Sequence, residues 1–369
     1  MFLNSHFVVG RSGISKLMFT SLIVLIFSVL AFGASAQDGG VLRIGINAPE
    51  NLDPATGTAD SEILFNRTIY DFLVETTPSG EIAPNLATDW TVSDDGLVWT
   101  FNLAEGVTFH DGSPMTAADV VYTFNRLQEL ETQAANLMGV YTVEAVDDST
   151  VQFTLEAVNA DFLYGVATQG AVVIKDGTED PNVIADGDDP FANFNGTGPF
   201  ILTDYSPGEI AVFARNDNYW KEGQPLLDGL EFLFIADSLT QADALRSGAV
   251  DAIFRLDVDL LPTLEGEDGI NVVSRATNLH PVVRIRSDEG ALGEDPRIRE
   301  AFKLATNREE LLETVQEGRG VVGNNDPIGP KYGAFYAGMM DSAHDPATAC
   351  ALIQEATGEE RLSSDFYVV

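Results

Sequence analysis

The chain has 369 residues, with 57 acidic against 20 basic side chains and a formal charge of −37 at neutral pH. That balance excludes a nucleic-acid or anionic-membrane surface, since both need a basic footprint; it leaves a solvated acidic exterior, or a field that favours cationic ligands. The 45% hydrophobic content can fill a large core, and the length exceeds that at which single cores usually divide into domains.

At the N-terminus, Arg11 and Lys16 precede a continuous, largely apolar run over 17–32, and Ala34-Ser35-Ala36 fits a small-x-small cleavage site. Residues 1–36 are therefore expected to be a cleaved export signal, with an uncleaved N-terminal anchor as the alternative. The run is short for a membrane span, which needs about 20 residues. With no Cys at the cleavage site, the reading is a periplasmic protein that is not a lipoprotein. Cys350 is the sole cysteine, so no internal disulfide is expected; its place in the apolar-rich "DPATACALIQEATG" suggests a buried small apolar role.

"VLRIGI" (41–46) reads as a strand, followed by the Pro/Asn/Asp loop "NAPENLDP". "SEILFNRTIYDFLVE" (61–75) has the apolar spacing of a helix. In "WTVSDDGLVWTFNLAEGVTFHDG", Leu97, Trp99, Phe101 and Leu103 alternate with more polar positions around an Asp-Asp-Gly turn, which predicts an antiparallel meander with one buried face. A second hairpin is expected over 141–156, turning at Asp147–Ser149.

Between them, "FHDGSPMT" (109–116) places His110, Asp111 and Ser113 together. These side-chain types make nucleophilic triads, but triad members act from separate elements, and adjacency does not aim them at one another. Asp111-Gly112 is a turn dipeptide, and Thr116 with Asp119 is a carboxylate variant of the capping box, opening a helix with Val120, Phe124 and Leu127 on one face. A turn and a cap are expected, with no catalysis.

The six carboxylates between 176 and 189 lack the order of a calcium loop and read as an acidic surface loop. "GTGPFILTDYSPGEIAVFARNDNYW" (196–220) predicts two strands joined by a turn. "DGLEFLFIAD" (228–237), then a helix over 238–254 and a return strand, suggest a parallel crossover. "INVVSRAT" (270–277) is a further strand. Helices follow after Asp295-Pro296, after Asn307 with Glu310 three positions on, and after Asp345-Pro346, the last stopped by Gly358. HExxH, GxxxxGK[ST], GxSxG and CxxC are absent from the sequence.

Taken in order, several blocks resemble the bacterial extracellular solute-binding proteins of family 5, the dipeptide/oligopeptide-binding class that serves ABC importers. They are Leu52–Pro54, Tyr70–Val74, Pro84–Trp90, Phe101–Leu103, Gly106–Gly112, Thr116–Val120, "GTGPF" (196–200), "NDNYW" (216–220), "LRSGAVDAI" (245–253) and "DPRIREAFKLATNREELLETVQEGRG" (295–320). The resemblance covers roughly 42–358. Ala104 departs from it, standing where the family commonly has a basic residue. Family members also continue well beyond the helix at 346–357, so the second lobe is expected to be incomplete here.

The resemblance implies an α/β, bilobal periplasmic-binding-protein fold of type II, with mixed sheets flanked by helices. A discontinuous first lobe would take 37–58 plus 190–270, an inserted subdomain 59–189, and a partial second lobe 275–369. It implies an extracytoplasmic receptor that binds a peptide or similar small solute in an interlobe cleft and delivers it to an ABC permease and ATPase complex in the inner membrane. The receptor would act as a monomer, without cofactor, metal or catalytic residues. A ligand touching both lobes would favour the closed form that the importer reads. Cleft candidates are Asn51, Leu52 and Asp53 in the loop after the first strand; Gly196, Thr197 and Gly198, whose backbone amides lie at a chain crossing; and Thr277, Asn278, Leu279 and His280 after the hinge strand. A solute-sensing surface receptor on the same fold and a secreted glycoside hydrolase, which would need paired carboxylates, are the alternatives.

Overall fold

The computed structural model describes residues 4–10, 39–184, 190–276, 284–323, 325, 338, 343–359 and 361–362. Contacts divide the chain into two units, Gly10–Phe254 and Met1–Val9 with Arg255–Val369. The division falls at Phe254/Arg255. Strand β1 (Asn4–Gly10) lies inside the segment expected to be the export signal. In the first unit follow β2 (Val41–Ile46), α1 (Asp60–Ile69), β3 (Val74–Thr76), β4 (Ile82–Pro84), β5 (Ala87–Val92), β6 (Val98–Leu103), α2 (Ala117–Glu129), α3 (Gln133–Met138), β7 (Tyr141–Asp147), β8 (Thr150–Leu155), α4 (Phe162–Val166), β9 (Phe200–Ser206), β10 (Ile210–Arg215), β11 (Gly229–Phe234), α5 (Ser238–Ser247) and β12 (Ala252–Ile253).

Within this unit five strands lie in the order β12-β2-β11-β10-β9. β2 is parallel to both β11 and β12, and β10 is antiparallel to β9 and β11. The crossover predicted from 228–254 is present: β11 leads through α5 to β12 on the far side of β2. Its helix stops earlier than expected, because Gly248 adopts φ 74° as a left-handed C-cap. Alternation buries Phe213 and Phe232 on one face, with ring centroids 4.9 Å apart, and Phe65 of α1 packs edge-on against Phe213 at 5.4 Å. Rings of this size contribute on the order of 2–3 kcal/mol each when fully buried.

The segment 59–189 contains a second, four-stranded antiparallel sheet, β5-β6-β8-β7. Both predicted hairpins are there, with turns at Asp94–Gly96 and Asp147–Ser149. α2 lays Phe124 onto Phe153 at 5.0 Å, and Phe153 also meets Phe101 at 5.5 Å and Phe162 at 5.4 Å. All four rings are fully buried, which makes them the centre of this core.

The helix expected over 61–75 ends at Ile69. Tyr70 is extended at φ −120°, ψ 156°, and Val74–Thr76 is a strand. Helical spacing is overridden here by long-range bonds: the Ile69 carbonyl accepts the Gly198 N–H at 2.8 Å, and the Asp71 carboxylate is engaged by three distant side chains. The stretch after Leu103 leaves the meander and forms turns with one bridge, Thr108 to Pro114.

In the second unit, α6 (Leu261–Leu264), β13 (Ile270–Ala276), α7 (Pro296–Ala305), α8 (Arg308–Val315) and α9 (Pro346–Thr357) follow. Asp295, Asn307 and Asp345 cap the last three helices as their sequences predict, accepting from Arg297 N, Glu310 N and Thr348 N. α7 packs against α9 through Ile298, Ala301 and Ala349, which are buried. Cys350, expected to be buried, is exposed instead. The contact face of α9 falls one position earlier, on Ala349, and the thiol turns outward. Among the described residues no helix is long and apolar enough to cross a membrane.

Candidate functional site

The loop after β2 is shaped by side-chain acceptors. Glu62, in the first turn of α1, takes the backbone amides of Asn51 (2.9 Å), Thr58 (2.7 Å) and Ala59 (2.9 Å). The carbonyl oxygen of the Asn182 side chain takes the amides of Leu52 (2.7 Å) and Asp53 (3.1 Å), binding this loop to the acidic segment 130 positions away. Asp53 accepts from Ala55 N at 3.0 Å and forms a two-pronged pair with Arg126 of α2, at 2.9 and 2.5 Å. The pair is largely desolvated, with side chains 8% and 16% exposed. Every bond fixes the loop without help from a ligand.

Against this loop lies a cleft of about 460 Å³, lined by residues 49–52 with Asn182, Ile184, Tyr205 and Pro207. It opens beyond the carboxyl end of β2, the end of a parallel strand at which ligands bind in open α/β sheets. Pro49, Leu52, Ile184 and Pro207 give it apolar walls; Glu50, Asn51, Asn182 and Tyr205 give it polar groups. A few placed polar groups on an apolar surface are what a small-molecule site needs. The Tyr205 ring is wedged edge-on against Phe65 and Phe234, and burial raises its hydroxyl pKa above the ordinary 10.0.

Of the residues singled out in the sequence, Asn51 and Leu52 line this cleft. Asp53 faces Arg126 and anchors the loop from behind. Gly196, Thr197 and Gly198 lie elsewhere, at the crossing of the chain with Ile69. There the Gly198 N–H is taken by the Ile69 carbonyl, and the Gly196 carbonyl accepts His110 N at 2.9 Å. The Gly198 carbonyl receives the Asn216 side chain at 3.0 Å and lies 3.1 Å from His110 Nε2. Thr197 is fully buried and donates to Asp71 at 3.1 Å. A side-chain carbon on Gly196 would stand 2.0 Å from the Ile69 oxygen, so close approach explains the glycine. Thr277, Asn278, Leu279 and His280 lie outside the described residues. Sequence reading passed over Glu50, Asn182, Tyr205 and Pro207. Asn182 sits in what reads as a surface acidic loop, and nothing in its neighbourhood signals that its amide holds a loop so far away.

"FHDGSPMT" is a turn and a cap. Gly112 has φ 81°, and the Asp119 carboxylate accepts Thr116 N at 2.7 Å. Ser113 Oγ donates to Asp111 at 2.6 Å, and Asp111 also pairs with Lys175. Burial works to raise the Asp111 pKa, but the Lys175 ammonium and the two Ser113 bonds outweigh it and hold the carboxyl well below its usual range. Because Gly198 O can only accept, His110 Nε2 carries the proton, and burial lowers the imidazole pKa. His110 and Ser113 therefore face different partners. Among the described residues no three His, Cys, Asp or Glu groups are placed to hold a metal ion.

A sequence profile of the bacterial extracellular solute-binding proteins, family 5 (middle), matches residues 81–366. The heme-binding protein A of Haemophilus influenzae is 28% identical over 87% of this chain and 62% of its own length. The dipeptide-binding protein of Escherichia coli is 28% identical over 92% of this chain and 67% of its own length. The chain thus spans about two thirds or less of these relatives. Among solved structures, the ABC transporter substrate-binding protein CtaP of Listeria monocytogenes superposes with a TM-score of 0.72 at 26% identity, over 87% of this chain and 66% of that one. The fold is accordingly a mixed α/β, periplasmic-binding-protein-like one.

Proposed function

The chain belongs to the bacterial extracellular solute-binding proteins of family 5, and we propose that it serves as the extracytoplasmic receptor of an ABC importer, holding a peptide or similar small solute for delivery to the permease and ATPase complex in the membrane. The reading includes the type II topology with its inserted subdomain, and export ahead of function. The observation that carries it is the cleft beyond β2, built on a loop whose backbone amides are already bonded to Glu62 and Asn182. A preformed surface loses little order on binding, which favours affinity. A peptide is the first solute class to test, because one of the relatives is a dipeptide-binding protein. Binding and release suffice for the role; no bond in the solute need break.

Thermal unfolding with di- and tripeptide mixtures tests this. A ligand at a hundredfold its Kd stabilises the folded form by about 2.7 kcal/mol, enough to raise Tm by several degrees. Absence of any shift, together with turnover of chromogenic glycosides, would overturn the reading in favour of a hydrolase.

A further inference from the structure

We propose that Glu50 makes the cleft beyond β2 selective for solutes carrying an ammonium or guanidinium group. This deepens the receptor reading and rests on it. Of the described residues lining the cleft, Glu50 is the only acidic one, and it is exposed, with no hydrogen bond or ion pair among the described residues. The neighbouring acids are committed: Glu62 holds three backbone amides, and Asp53 holds Arg126. The cation of α2, Arg126, is thus consumed by Asp53, and none of the described lining residues is basic.

The polar groups around Glu50 complete a recognition pattern. Asn182 has spent its carbonyl oxygen on Leu52 N and Asp53 N, which leaves its NH2 to donate to a solute carbonyl. The Tyr205 hydroxyl makes no hydrogen bond to a described residue. Leu52, Ile184 and Pro207 offer apolar contact between these groups. A solute with a cation, a carbonyl and an aliphatic stretch fits all of them. An anionic solute would meet Glu50 directly and a chain of net charge −37 at longer range.

Titration calorimetry on the full chain and on its Glu50→Gln variant tests this with four peptides. Ala-Lys-Ala against Ala-norleucine-Ala isolates a side-chain cation; Ala-norleucine-Ala against its N-acetyl form isolates the α-ammonium. Ala-Glu-Ala supplies the anionic arm. The expected result is at least one cation-dependent preference of roughly tenfold, as a charge-assisted bond provides, which Glu50→Gln abolishes and added salt weakens. If peptides bind but both preferences are absent, or survive Glu50→Gln, the selectivity is wrong and the receptor reading stands. If no peptide binds the unaltered chain, the peptide-receptor reading fails and carries the inference with it.

Discussion

Trp220 donates its indole N–H to the carboxylate of Asp71 at 2.9 Å, across 149 positions of sequence. Tyr219 O–H joins at 3.0 Å and Thr197 O–H at 3.1 Å, so one buried carboxylate gathers donors from two separate loops. Asp71 is 5% exposed, and burial raises its pKa above 3.8 against the pull of its three donors. Removing the acceptor strands three donors, each costing about 1–3 kcal/mol when buried and unpaired. Asp71→Ala is expected to lose roughly 3 kcal/mol or more in urea unfolding. Because the folded pKa is raised, this group's contribution is present below 3.8 and is lost as pH rises through the folded value. Asp71→Asn should remove that dependence; an unchanged pH profile in this variant would count against the assignment.

Gly196 and Gly112 separate two reasons for glycine. At Gly196 a side-chain carbon meets the Ile69 oxygen at 2.0 Å, whereas at Gly112 it meets nothing within 4 Å and only φ 81° resists it. Gly112→Ala should cost about 1 kcal/mol, and Gly196→Ala should leave no soluble folded protein. Comparable melting temperatures for the two variants would contradict this account of the crossing.

Arg126 pairs with Asp53 behind the cleft loop, with both side chains mostly desolvated. Arg126→Leu leaves a buried carboxylate unpaired and is expected to cost about 3–5 kcal/mol. Asp53→Asn combined with Arg126→Leu should recover part of that loss. Additive losses in the double mutant, followed by chemical denaturation, would show that the pair is not coupled.

His110 and Ser113 are expected to have no catalytic role. Ser113→Ala, which loses only the 2.6 Å bond to Asp111, should leave solute binding unchanged. His110 is held neutral by burial, with a folded pKa below 6.5, so the unfolded chain binds its proton more readily. Its contribution to stability is therefore present above 6.5 and is lost as pH falls through the folded value. A His110→Gln variant should be flatter with pH in that range, as read by calorimetric scans.

The local grammar was legible because its causes are local. Asp-Asp-Gly at 94–96 turns a hairpin wherever it stands between alternating strands, and Asp345-Pro346 starts a helix by capping its own amides. The end of α1 was not legible: residues 61–75 carry helical spacing throughout, and long-range bonds from Thr197, Gly198, Tyr219 and Trp220 halt the helix at Ile69. Cys350 failed for a related reason, since one position of helix rotation decides which face of α9 meets α7. In the cleft, the place of Asn51 and Leu52 after a strand is the feature that the sequence displays. Glu50, Asn182 and Tyr205 meet only through tertiary packing and have no spacing to betray them. The blocks that hold Asp71, Thr197 and Trp220 stand in the sequence as separate matches to one family, and the structure joins them through one carboxylate.

Binding of a small solute at the cleft beyond β2 is tested by hydrogen exchange with and without saturating tripeptide. Closing a ligand onto a surface slows amide exchange where solvent is displaced and local opening is suppressed. Slowed exchange is expected at 49–53, 182–184 and 205–206, with the hairpin at 141–155 unchanged. Protection confined to other segments, or none while calorimetry registers binding, would contradict it.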